Sequence, residues 1–231
     1  MATQIGSCGT DVLVPEGQEG LVAGAELSFE QGTITELALS GQVTDSKTRV
    51  PGGSNFGTAG KGLKDSRILV SGKKENECSD DGSDSEDSII ALSNKLVEDT
   101  TVKGKAKTPI DLRISGKFRR STFDAAKGNG SDSVTSSSTS RFVNSELNLK
   151  KGADNVTFTG GMKLIGTNVV RLGKDKQVDN VEVGENTTGK GVLVISQMRK
   201  VDTVTVAGEE FTKKQIANGE APNFIQLPDR G

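Results

Sequence analysis

Seven aspartates, Asp65, Asp87, Asp111, Asp132, Asp154, Asp179 and Asp202, each stand just ahead of a short apolar phrase. Their type and spacing could do chemistry. A row of carboxylates along one edge could bind calcium, a hard cation that takes oxygen ligands, or supply a general acid and base against a polysaccharide. The competing reading is structural: Asp at a strand entrance accepts hydrogen bonds from the backbone amides of the bend. The neighbours of these aspartates change from one to the next, and no pair stands out with a positioning Arg or Lys. The structural role is therefore the favoured one, and no residue is assigned as catalytic.

A second group is the acidic run Glu75, Glu77, Asp80, Asp81, Asp84, Glu86 and Asp87. Asp80, Asp81, Asp84 and Asp87 are weak Ca2+ candidates within it. An EF-hand loop needs a carboxylate at its twelfth position, where Ala91 or Leu92 stands when counting from Asp80 or Asp81. The run also lacks the glycine-rich nonapeptide of calcium-filled β-rolls. A solvated loop with weak, nonspecific cation affinity is expected, and no dedicated cofactor. The chain has no His, so the commonest transition-metal ligand and the usual catalytic base are both missing. Cys8 and Cys78 are expected about two rungs apart and read as free thiols, the alternative being a cross-link between subunits in an oxidising compartment.

The elements that must position these groups announce themselves by repetition. The phrases Ile68-Leu69-Val70-Ser71-Gly72, Ile90-Ala91-Leu92-Ser93-Asn94, Leu112-Arg113-Ile114-Ser115-Gly116, Val134-Thr135-Ser136-Ser137 and Val156-Thr157-Phe158-Thr159-Gly160 begin 22 positions apart. A fixed period of this length is the signature of a repeat architecture. Each phrase alternates apolar with polar or small residues, which is strand and not helix patterning. A second apolar set follows at Val102, Phe123, Leu147, Val169 and Val192, and a third, weaker one at Leu96, Phe118, Phe142 and Ile165. Two or three short strands per turn, each stacking on its counterpart in the next, make an all-β fold: a parallel β-helix, or β-solenoid, of about eight coils with ~22-residue repeats.

Composition agrees. Only 32% of the 231 residues are hydrophobic and 3% aromatic, with no Trp or Tyr and 29 Gly. Such a chain cannot fill a wide globular core, but it suffices for the thin column inside a solenoid. The phrases extend outward to Val14 and Leu37 and to Val181 and Val204. Expected boundaries are an N-terminal cap or assembly segment over 1–10, the solenoid over 11–214, and a C-terminal cap or assembly segment over 215–231. A loop insertion is expected at 51–62, to absorb the long interval between Leu37 and Ile68, and the acidic loop at 75–87.

The coil length and apolar pairs of Asp11 to Gly208 resemble the single-stranded, right-handed parallel β-helix proteins of pectate-lyase-like and tailspike-like architecture. That resemblance implies the fold. The Arg and Asp cluster of the lyases has no counterpart at numbered positions in this chain.

Function classes narrow accordingly. A net charge of -2, with 29 basic and 31 acidic residues intermixed, and no basic stretch interleaved with aromatics, speaks against a nucleic-acid partner. No apolar run approaches the ~20 residues of a membrane span. Met1 to Gly9 lacks the basic start and apolar middle of a secretory signal. The expectation is a non-enzymatic structural rod at an extracellular, cell-surface or virion location. Its partners would be copies of itself, or structural proteins of a larger particle, met through terminal coils and tails. The alternative is a polysaccharide-binding or polysaccharide-cleaving β-helix using carboxylates on one face.

Overall fold

A computed structural model describes residues 2–4, 12–14, 26–28, 37–50, 55–70, 88–104, 109–125 and 130–228, with side chains from Thr44 onward. Cys8, Cys78 and the calcium candidates Asp80, Asp81, Asp84 and Asp87 lie outside these residues, as does all of 75–87. The chain is a parallel β-solenoid whose strands pair, turn upon turn, in one continuous stack. About six turns are described with their side chains, against about eight expected.

Each turn has three faces. The first carries strands such as Ile110–Ile114, Ser133–Ser136, Asn155–Phe158, Asn180–Val183 and Thr203–Val206, in register Leu112↔Val134↔Val156↔Val181↔Val204. The second stacks Val97, Phe118, Phe142 and Leu164. The third stacks Ile68, Val102, Phe123, Leu147, Val170 and Ile195. These residues are buried, and together they form one axial core cluster. Like stacks on like because each rung presents the same inward positions to the next at the spacing of parallel strands.

Register departs from expectation in two places. Ile68 does not stack under Ile90: it lies on the third face beneath Val102, and the residue beneath Ile90 is Phe56. Asn55–Lys64, expected to fall within a loop over 51–62, is instead a strand pairing with Leu37–Thr44 on one side and Ser88–Glu98 on the other. The extra length lies after it, in residues 71–87 that join Arg67–Val70 to Ser88–Glu98. Secondly, Val170 and Ile195 take the inward positions assigned to Val169 and Val192, and Val97 and Leu164 those assigned to Leu96 and Ile165; Ile165 is 40% exposed. Side chains alternate with period two along a strand, so an odd offset, one residue in three cases and three between Val192 and Ile195, reverses the face.

The top of the stack is closed. Glu209–Phe211 folds back antiparallel on Thr203–Val206, the short helix Lys213–Ala217 follows behind a Thr212/Gln215 capping box, and Ile225–Gln226 pairs with Leu193 and Val194. Phe211, Ile216, Ala221 and Ile225 are buried beneath this cap. No helix among the described residues is long and apolar enough to cross a membrane.

Candidate functional site

The aspartate row divides. Asp132, Asp154, Asp179 and Asp202 do stack, at the corner between the third and first faces, and each is at most 1% exposed. Asp111 falls one residue out of this row, because the stack places Asp132 above Ile110; its carboxylate binds Arg113 and accepts from Ser133 Oγ. Asp65 belongs to a different corner and is exposed, and Asp87 lies outside the described residues.

Within the row, each carboxylate receives the amide of the coil below. Ile110 N–H donates to Asp132 Oδ1 at 2.8 Å, Asp132 N–H to Asp154 Oδ1 at 2.8 Å, Asp154 N–H to Asp179 Oδ1 at 3.1 Å and Asp179 N–H to Asp202 Oδ1 at 3.3 Å. A sharp corner turns these amides away from the strand ladder, and Asp is short enough to reach the next one down. Approach is tight: a Cβ on Gly152, two residues before Asp154 and at φ +132°, would stand 2.1 Å from the Gly130 carbonyl oxygen.

The second oxygens differ along the row. Asp202 is closed by Arg199, whose backbone N–H and Nε donate to Oδ2 at 2.6 and 3.2 Å and whose Nη2 reaches Oδ1 at 2.5 Å. Arg199 also donates to the carbonyls of Asp175 and Gln177 and lies 3.9 Å from Asp179 Oδ2. Asp179 Oδ2 takes the Gly173 N–H at 3.0 Å. Asp154 Oδ2 is buried without a partner among the described residues. Burial, reinforced by Asp202, pushes the Asp179 carboxyl up to about 6. Burial, reinforced by the charges of Asp179 and Asp175, pushes that of Asp154 up to about 7. The row supports backbone throughout and presents no carboxylate to a substrate in solution. Arg199, the positioning cation that the sequence did not single out, comes from a corner one turn above Asp175 and Gln177. Its spacing to Asp202 was the available signal.

A second polar ladder went unrecognised. At the corner between the second and third faces, Asp45, Asp65, Asp99, Arg120 and Asn144 take positive φ of 46–54°. Each is followed by a buried Ser or Thr: Ser46, Ser66, Thr100, Ser121 and Ser145. Asx residues tolerate this left-handed conformation because their side chains are short and polar, and so favour the turn. The hydroxyls donate to the carbonyl two residues back, as Ser121 does to Arg119 and Ser145 to Val143, and accept an amide from the adjacent coil: Thr100 N–H to Ser121 at 3.1 Å, Ser121 N–H to Ser145 at 3.4 Å. Asn168 Oδ1 accepts the Ser145 N–H at 3.1 Å. Arg120, the one non-Asx residue of this set, is tied to Asp99 and Glu98, and its guanidinium holds the Asp99 carboxyl below the ordinary range. Ser145→Ala strips the Ser121 amide of its acceptor in a buried corner, and urea titration should register a loss of about 1–3 kcal/mol.

On the third face, a groove of about 470 Å3 runs across coils past Asp124, Glu146, Lys150, Arg171 and Lys174. Its acids are already engaged: Asp124 with Lys103 and Lys150 at 3.2 and 2.6 Å, and Glu146 with Arg171 at 2.9 Å. A larger cavity, about 850 Å3, lies between the last coil and the cap, with Ile195, Met198 and Leu227 in its wall and Lys200, Lys213 and Lys214 at its rim. Among the described residues no group of three or more His, Cys, Asp or Glu is arranged to hold a metal ion. No protein-family model matches the chain, and neither curated proteins nor solved structures give a match.

Proposed function

We propose that this chain is a non-enzymatic structural rod, joined to copies of itself or to a structural protein of a larger particle through its N-terminal coils. The observation that carries this reading is the inequality of the two ends. At the C-terminal end the last rung is folded over by Glu209–Phe211, the helix and Ile225–Gln226, which blunts the edge as soluble β-proteins require. At the other end, among the described residues, Ala2–Gln4 pairs only with Glu26–Ser28 and Val12–Val14 only with Leu37–Leu39. A strand edge of this kind is a template for β-strand addition, where main-chain hydrogen bonds supply affinity. The polar residues that recur most regularly are spent on corners and backbone, which is the economy of a scaffold.

Assembly through both ends was the simpler expectation; the closed cap favours one. Sedimentation of the full chain across a wide concentration range, with electron microscopy of the same samples, should show dimers or longer rods. Removal of residues 1–14 should abolish them while leaving the β-sheet circular dichroism in place. A full-length chain that stays monomeric at high concentration would overturn the reading. So would assembly that survives the N-terminal deletion and is lost on deletion of 222–231.

A further inference from the structure

We propose that the folded rod keeps Asp154 as a neutral carboxylic acid, so that a bound proton locks the C-terminal coils and its release loosens them. The argument begins with geometry. Asp154 is completely buried; its Oδ1 accepts the Asp132 N–H at 2.8 Å, and its Oδ2 meets no donor among the described residues. A carboxylate placed so would carry charge on an unsolvated oxygen, which is among the costliest arrangements a protein interior offers. Protonation removes the charge and turns the orphan oxygen into a hydroxyl.

The neighbours remove the other way out, which is a counter-ion. Asp132 lies in the coil below, Asp179 in the coil above, and Asp175 beside it, where it accepts the Gly152 N–H at 2.6 Å. All three are acids. Arg199, the cation of this corner among the described residues, is spent on Asp202 and on Asp179 and Asp175, and it makes no ion pair with Asp154. The ladder therefore runs from a fully paired member at the cap, through Asp179 with its Gly173 amide and distant guanidinium, to Asp154 with one amide and, among the described residues, no cation. The upward displacement of the Asp154 carboxyl to about 7 follows from that burial.

Linkage then sets the sign. The folded state holds a proton that the unfolded chain releases at the ordinary value of 3.8, so the stabilisation is complete below 3.8 and is lost as pH rises through about 7. In that window the unfolding constant should climb about tenfold per pH unit through this group alone. Asp179, pushed up to about 6, acts in the same sense over part of this interval, so the share of Asp154 is read by substituting that residue.

Carbon-detected NMR of the full chain, following the Asp154 carboxyl carbon from pH 4 to 9, tests the proposal directly. A midpoint near neutrality is expected, with exchange of the Asp132 amide quickening above it; a midpoint in the ordinary carboxylate range would overturn it. Asp154→Asn offers a second reading, since the amide keeps an acceptor for Asp132 but carries no proton to lose. Its unfolding midpoint should match the parent's near pH 3 and exceed it by a margin that grows from pH 5 to pH 8. Identical pH profiles for the two proteins would sink the idea, and the carbon titration still decides if the variant does not fold.

Discussion

Phe142→Ala should cost about 3–5 kcal/mol, the upper range for truncating a buried aromatic. Phe142 is 1% exposed and is the middle of three rings: its centroid lies 5.6 Å from Phe118 in a tilted pair and 5.2 Å from Phe158 at 88°, edge to face. Phe118 is its partner in the coil below on the same face, and Phe158 comes from the first face of the next coil. The column is narrow and its walls are hydrogen-bonded strands, so the void cannot be filled by collapse. Because a solenoid's stability is roughly a sum over neighbouring turns, losing this contact also uncouples the turns on either side. Denaturant unfolding should show a lower midpoint together with a shallower slope, whereas Phe142→Leu should lose less than about 1.5 kcal/mol and keep the slope. A Phe142→Ala loss below about 1 kcal/mol would mean that the rings do not carry the core.

Arg199→Met is the second large effect, at about 3 kcal/mol. Deleting one partner of a buried ion pair typically costs about 3–5 kcal/mol because the other charge is stranded. The lower end applies, since the Arg199 side chain is 22% exposed while that of Asp202 is fully buried. Adding Asp202→Asn should restore part of the stability at pH 7, since the amide oxygen still accepts the Asp179 N–H. Urea titrations of both variants at pH 7 check this; a cost unrelieved by Asp202→Asn would show that Arg199 acts by packing alone.

Much of the fold was legible because a solenoid writes its structure into local sequence. The column Leu112, Val134, Val156, Val181, Val204, and the burial of Phe118, Phe123, Phe142 and Phe158, follow from period and alternation. Most errors of strand phase have one cause. A single left-handed corner residue interrupts the two-residue alternation, so the phase of the following strand cannot be carried across the turn. Ile165, Val169 and Val192 were misplaced in this way, after Gly161, Gly166 and Gly189 at positive φ. The strand at Asn55–Lys64 was missed because its glycines imitate a loop, although Phe56 lies at the core position. The Asx-Ser pairs of the second corner were visible but were divided, with Asp65 counted in the wrong row.

The sequence by itself determined that this chain is a stack of parallel strands, because like-on-like packing of successive turns needs the same residue types at the same interval and little else. It also placed aspartates before the strands. Only the tertiary structure decided which of them share a corner, which one has a guanidinium and which has none. Those distinctions depend on desolvation and on distances between coils 22 to 25 residues apart, and no local pattern encodes them. Four of the aspartates that first suggested chemistry on a surface, Asp132, Asp154, Asp179 and Asp202, are in the folded chain the interior braces of one corner, and their charge is set by what buries them.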